Sequence, residues 1–557
     1  MTAPPKLYDL AFEVVVNCYT TGLLQTKVIP ADSILSDEIF ETVMRIRDYC
    51  YDDHAKALIK EFQPTKLELN LEHCQQATFS EIRKLKLTEL KIKKFNEISK
   101  YIVRVAGPPQ RGKRLAPMAT REPRPKIPKE ESNDDDHVPM TYRSLPEHFF
   151  IVHFLGDILS EETKRELRVL HISGYGTFED KWMEAVSSMF PKLEQLNIKG
   201  RQFSEEDFAI SCNNLPNLHT LRIGHSSLTN LNGISKLKNL TNLAIDHSFF
   251  RNKKDVEELS KLKHLKTLSL SHNSRVGFNY DFYFVKPFPE LTHLEIKWGK
   301  AGDEFLEKIL PKLPKLQVLV ANDTEIHAAP PSVTVYTSRD LKTIMESLAY
   351  FRITGNRKEI VKAIQKFWEI YRDWNVRRTC TPDQLTVCVN EVEALLETFK
   401  FDKELVKKVH SCVDVFACFA MGDGHLNVNK LKIVSVLLKN LKNHLKIRTS
   451  PDKPIFKSIW INVDRFIRNT ENLNIDEIAS LAMESIIHGG GALYWEQFCA
   501  ELLEKILDRM DLSSEYYKKI NFRKLYECLS IIHKRTELFA ERRARAGDVL
   551  NYIELFM

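Results

Sequence analysis

LRVLHI, LEQLNI, LHTLRI, LTNLAI, LKTLSL, LTHLEI and LQVLVA, which begin at Leu167, Leu193, Leu218, Leu240, Leu265, Leu291 and Leu316, are seven copies of one pattern, L-x-x-L-x-Φ with Φ aliphatic. The copies stand 26, 25, 22, 25, 26 and 25 residues apart. Successive side chains of a strand point to opposite faces, so the second Leu and Φ of each copy face inward together while their neighbours face outward. One copy buries only one face and needs another stacked on it.

A period of 20 to 29 residues with this pattern predicts leucine-rich repeats: short parallel strands on a concave side, and return segments such as Asp180–Lys192 and Asp255–His264 as helices on the convex side. Weaker copies, KLELNL from Lys66 and LTELKI from Leu87, place the start near residue 65. The last copy has Ala321 where Φ should stand, as a terminal repeat does. The domain is expected over 64–325. Ala106–Pro139 is rich in proline and charge without hydrophobic period, so a disordered insert is expected over about 106–140. The outward strand positions carry mixed polar residues suited to binding protein: Gln195, Asn197, Lys199, Arg222, Asn242, Asp246, His293, Glu295 and Lys297. Arg222, Asp246 and Glu295 are the expected substrate-binding residues among them.

Composition narrows the class. With 43% hydrophobic and 28% charged residues, the 557-residue chain is that of a folded protein, too long for one core. A net charge of +6 with no basic stripe argues against nucleic acid. No window nears the roughly 18 apolar residues of a membrane span, and Asp9 and Glu13 interrupt the apolar N-terminal stretch, so neither membrane nor signal peptide is expected. Ten cysteines without a CxxC pair suggest free thiols in the cytoplasm or nucleus, with no zinc frame.

Other features carry no chemistry. His225, His247 and His272 recur at equivalent places, but lack acidic or cysteine co-ligands in register. Asp423–Asn429 has Val428 and Val434 where a calcium loop needs Gly and Glu. Gly489–Gly491 lacks the frame of a phosphate loop and reads as a turn between helices. No cofactor, metal or catalytic constellation is expected.

After Asn322 the repeat stops and amphipathic segments follow, among them SRDLKTIMESLAYF, RKEIVKAIQKFWEIYRDW and KELVKKVHSCVDVFACFA, with apolar residues at three and four. They predict an all-α, armadillo-like repeat domain over 326–557. At the other end, Leu7, Leu10, Ala11 and Val15 form an apolar stripe on a predicted first helix.

KLYDLAFEVV resembles the elongin C-binding box of VHL-box proteins, with Ala11 in place of the usual Cys. LSDEIFETVM resembles the adjoining cullin-selecting box, with Leu35, Ile39 and Val43 at its apolar places and Ser36 where Pro is usual. With residues 1–63 as such a box, the order of parts resembles the Zyg-eleven and Zer-one family of substrate receptors of cullin-2 elongin ubiquitin ligases. The junction from LQVLVANDTEIHAA to SRDLKTIMESLAYF is similar to that family's passage from leucine-rich to armadillo repeats. The resemblance implies a non-catalytic substrate-recognition subunit that binds elongin C (with elongin B), cullin-2 and a protein substrate. It also implies a pocket for N-terminal glycine, in which Trp460 and Asp464 of SIWINVDRF match the first element. At the second element Ser530, Ile531, His533 and Lys534 stand where an Asn and a Glu belong. The competing reading is a leucine-rich-repeat scaffold or regulatory binding protein unrelated to ubiquitin, for example a phosphatase- or GTPase-binding module.

Overall fold

The computed structural model describes residues 33–46, 52–94, 150–174, 178–199, 203–224, 228–246, 250, 253–271, 283–297, 301–322, 324–327, 330–372, 381–400, 402–421, 430–446, 453–470, 472–489, 496–511, 513–534 and 540–554. Leu7, Leu10, Ala11, Val15, the 106–140 insert, the three register histidines and Asp423–Asn429 lie outside the described residues. The chain divides into two compact units, Lys66–Leu262 and Met1–Thr65 with Lys263–Met557.

Among the described residues the first helices of the second unit are α1 (Ser33–Ile46) and α2 (Asp53–Phe62). Asp52 caps α2 by accepting the Ala55 N–H at 3.0 Å. Ser36 Oγ donates to the Phe62 carbonyl at 2.7 Å, and the buried Asp37 carboxylate accepts the Thr65 N–H at 2.6 Å. Phe40 and Phe62 pack at 6.4 Å between these polar ties.

Among its described residues the Lys66–Leu262 unit holds six parallel strands: β1 (Lys66–Asn70), β2 (Glu89–Lys93), β3 (Val169–Ser173), β4 (Gln195–Lys199), β5 (Thr220–Gly224) and β6 (Asn242–Asp246). Each coincides with a copy of the sequence pattern. The register stacks like on like: Leu170, Leu196, Leu221 and Leu243 form one column and Ile172, Ile198, Ile223 and Ile245 the next. None of these eight is more than 3% exposed, so each contributes about 1.5–3 kcal/mol of burial. Such columns make the solenoid. The long insert does not break it, because β2 pairs directly with β3, Glu89 opposite Val169. Buried Thr163 seals the join: its hydroxyl accepts the Leu87 N–H at 2.9 Å and donates to the Leu85 carbonyl at 2.8 Å.

Where a repeat is long enough its return is an α-helix, as at α6 (Trp182–Met189) and α7 (Glu205–Asn214), which follow α3 (Gln76–Ile82), α4 (Ile151–Ile158) and α5 (Glu161–Glu166). The short step from Leu218 to Leu240 leaves room only for a 3-10 turn, Ile234–Lys236. The helix expected over Asp255–His264 is likewise 3-10, Lys253–Lys261.

The second unit carries β7 (Thr267–Ser271), β8 (His293–Lys297) and β9 (Val318–Val320) on the same pattern, with α8 (Asp303–Ile309) between the last two. Among the described residues one strand more is present than the pattern predicts. β10 (Thr334–Tyr336) pairs in parallel with β9, Thr334 opposite Val318, beyond the expected boundary at 325. Its β-branched and aromatic residues suit an edge strand although the leucine spacing is gone.

Helices follow: α9 (Leu341–Ile353), α10 (Arg357–Arg372), α11 (Pro382–Thr398), α12 (Lys403–Met421), α13 (Lys430–Lys446), α14 (Lys453–Asn469), α15 (Ile475–Gly489), α16 (Glu496–Ile506), α17 (Phe522–Lys534) and α18 (Ala540–Glu554). Capping boxes at Asp340/Thr343 and Thr381/Gln384 start α9 and α11. Each of these helices packs on the next but one, and most pack on the next as well, the pairs α10–α11 and α14–α15 excepted, which sorts them into two layers, odd-numbered and even-numbered. One continuous apolar core runs between the layers from Val320 to Ile553. Within a layer, ion pairs tie successive helices: Arg352 to Glu391 at 2.7 Å, Lys442 to Glu477 at 2.5 Å and Lys505 to Asp464 at 2.8 Å. Gly489 ends α15 where a larger side chain would collide with fully buried Glu496 of α16. No described helix is long and apolar enough to cross a membrane.

Candidate protein-binding surfaces

Because Leu and Ile fill the inward positions of the Lys66–Leu262 sheet, the alternate positions form a polar face one side chain deep. Its central row is set by register: Lys91 on β2, His171 on β3, Asn197 on β4, Arg222 on β5 and Ala244 on β6. Neighbours in the row are separated by one strand spacing, about 4.8 Å. Asn197 is only 7% exposed and its Oδ1 is sealed from solvent without a hydrogen-bond partner among the described residues. Arg222 is exposed. Asp246, at the end of β6 opposite Gly224, stands one position diagonally from the row.

Burial pushes the His171 imidazole down to about 4, with Lys91 the next cause and Lys199 and Arg222 adding to it against Glu89. His171 is therefore neutral at physiological pH, and the charge of the row is cationic. An unfolded histidine titrates near 6.5, so above that pH both states are neutral and the full stability is present. As pH falls from about 6.5 toward 4 the unfolded chain binds a proton that the folded chain does not, and stability drops. Between pH 7 and 5 the wild type is expected to lose about 2 kcal/mol more than His171→Gln. Hydrogen exchange of the β3 and β4 amides at the two pH values checks this, and equal losses would contradict it.

Glu295 belongs to the other unit. It stands on β8 between Ser269 and Val320 in register, and Val320 in turn pairs with Tyr336 of β10. Tyr336 stacks on Tyr350 of α9 with ring centroids 4.1 Å apart and planes 18° from parallel. Burial, then Tyr336 and then Glu295, raise the Tyr350 hydroxyl above its ordinary range. The carboxylate thus has an aromatic neighbourhood that the strand pattern alone does not reveal, since Tyr350 reaches it from a helix.

Trp460 and Asp464 share α14 as their spacing requires, but their surroundings differ from those of a surface pocket. Trp460 is 0% exposed, inside the core between the helix layers, with its Nε1 lacking an acceptor among the described residues. Asp464 already holds an ammonium group, that of Lys505 on α16. The spacing fixes a shared helix and leaves the direction of that helix undecided, and the four-residue match reads the same in a core. Ile39 and Val43, at 2% and 0% exposure, face into the α1–α2 region, and Leu35 lies on the same helix.

Among the described residues no group of three His, Cys, Asp or Glu side chains is placed to hold a metal ion. Cys74, Cys212, Cys388, Cys412, Cys499 and Cys528 are buried, and none of them forms a disulfide among the described residues. Burial pushes the Cys212 thiol up to about 12, far from the range of a nucleophile.

Stacked parallel strands of constant register, together with two layers of stacked helices, define a repeat protein. The chain is similar to Gastrulation-defective protein 3 of Caenorhabditis elegans, with 29% identity over 252 residues, which is 42% of this chain and 35% of that protein. It thus spans about a third of the length of that relative. No family model matches the chain.

Proposed function

We propose that the chain is the substrate-recognition subunit of a cullin-2 RING ubiquitin ligase, with no catalytic chemistry of its own. In this reading Leu7, Leu10, Ala11 and Val15 bind elongin C with elongin B, the 33–46 helix contributes to cullin-2 selection, and the solenoids hold a protein substrate. The carrying observation is the polar row His171, Asn197 and Arg222, three positions laid out in register on one sheet face, which suits recognition of another chain. The similarity of KLYDLAFEVV to an elongin box and the partial match to Gastrulation-defective protein 3 support the assignment. The partners act in the cytoplasm or nucleus, with which buried cysteines that form no disulfide among the described residues agree. Holding substrate beside the charged ubiquitin carrier raises its effective concentration, so proximity is the mechanism.

Burial of Ile39 and Val43 favours a second reading, in which 33–46 is a structural cap and the chain is a repeat scaffold outside the ubiquitin system. Affinity capture from cells separates the two. Wild type is expected to bring down elongins B and C and cullin-2, and Leu7→Ser to lose all three. Capture without elongins, or capture that Leu7→Ser leaves unchanged, contradicts the ligase reading.

A further inference from the structure

In the Lys263–Met557 unit the outward row of the strands ends on aromatic rings. Val320 of β9 stands in that row, yet it is only 7% exposed and belongs to the helical core, with Tyr336 and Tyr350 packed against it. Glu295 on β8 and Tyr336 on β10 flank it, each one strand spacing, about 4.8 Å, away. Tyr350 reaches the row from α9 and lays its ring on that of Tyr336 at 4.1 Å. Both residues stay partly exposed, so the pair forms an aromatic surface at the end of the ladder. Its surroundings are acidic. Glu346 stands four residues before Tyr350 and so shares its helix face. Besides burial, Glu346 acts on the Tyr336 hydroxyl, and Tyr336 and Glu295 act on that of Tyr350. Glu295 Oε1 is sealed from solvent, so that carboxylate contributes through its field, whereas the Glu346 side chain is 52% exposed and open to direct contact. Lys342 pairs with Glu346 at 4.0 Å, the outer limit of an ion pair, and is itself 75% exposed. Such exposed pairs are weak and readily exchanged.

We propose that the Tyr336–Tyr350 pair is a docking point for an arginine side chain of the protein that the solenoids hold, stacked on the rings and bonded to Glu346. Charge complementarity selects a cation, because both acids at the pair repel a carboxylate or a phosphate. Shape selects the guanidinium among cations. It is planar, stacks on a tyrosine ring and keeps its N–H fork for a carboxylate, whereas an ammonium group is a strongly hydrated point charge without that fork. Tyr336, Tyr350, Glu295 and Glu346 all belong to one unit, so the site is complete within it. The proposal rests on the reading that the solenoids bind a protein substrate, adds what this end of them selects, and stands apart from the elongin assignment.

A random dodecapeptide display library panned on the full-length chain, with counter-selection on Glu346→Gln, tests it. Glu346 is exposed, so this variant is expected to melt as wild type does. Peptides that wild type retains and the variant does not are expected to share an arginine. Resynthesis with glutamine at that place should weaken binding about tenfold, and with lysine by less, because the charge is kept and the stacking fork lost. Tyr336→Leu keeps apolar cover over Val320 and removes the ring face, and it should weaken the same peptides by about fivefold. An empty pool, a pool without a shared arginine, lysine peptides bound as tightly as arginine ones, or binding that Tyr336→Leu leaves intact would each overturn the proposal. Peptides held equally by wild type and both variants would leave the substrate-holding reading in place and remove this one. Elongin capture, read in parallel on the same preparations, reports on the ligase assignment separately.

Discussion

Trp460→Ala is expected to destabilise the helical region by about 3–5 kcal/mol, the cost of removing a large aromatic from a core that cannot close over the gap. Trp460 is fully buried on α14, inside the continuous core between the two helix layers. Its Nε1 has no acceptor among the described residues, so Trp460→Phe removes an unsatisfied donor along with some packing and should stay within about 1.5 kcal/mol of wild type. A Trp that lined an open pocket for a ligand would behave in the opposite way, since its truncation would remove little buried contact and Phe would be as damaging to binding as Ala. Hydrogen exchange across α14 and α16 distinguishes the two cases. Protection lost in Trp460→Ala and kept in Trp460→Phe supports the core assignment. Unchanged protection in Trp460→Ala would return the residue to a surface role.

The second large effect lies in the ladder, where adjacent positions face opposite ways. Leu221 is 0% exposed in the leucine column between Leu196 and Leu243, whereas Arg222 beside it is exposed. Leu221→Asp places a carboxylate among aliphatic side chains with nothing to pair it. It is expected to cost on the order of 5 kcal/mol, comparable with the whole stability margin of a domain. Arg222→Asp should leave unfolding within about 0.5 kcal/mol of wild type, as surface changes do. Circular dichroism and limited proteolysis of the two variants check the alternation. Similar behaviour of both would mean that the register is displaced by one residue.

The contrast between these two regions explains what can be read from the chain without coordinates. Strands β1 to β9 are legible because one inward Leu and one inward aliphatic must recur wherever a repeat closes on its neighbour, and nothing else in a sequence has that spacing. β10 escapes because an edge strand pairs on one side only and needs no leucine at that interval. The helical segments are legible as helices from their period of three and four, but the even and odd layers come from contacts between helices that a period does not encode. The same limit applies to the sites. Arg222 is marked by the outward position it occupies, and it is exposed as that position implies. His171 occupies the same outward row, yet only its burial among Lys91, Lys199 and Arg222 distinguishes it from any other strand histidine. Trp460 and Asp464 satisfy a spacing that a core and a pocket share, and the choice between them depends on Lys505, which is 41 residues from Asp464.

Titration of purified full-length chain with purified elongin B–elongin C complex, followed by calorimetry and by size-exclusion chromatography, tests the central claim most directly. A saturable one-to-one complex that Leu7→Ser abolishes, while the variant keeps the unfolding behaviour of wild type, is the predicted result. Absence of any complex with the wild-type chain, or a complex indifferent to Leu7→Ser, would contradict it and leave a repeat scaffold with no part in ubiquitin transfer.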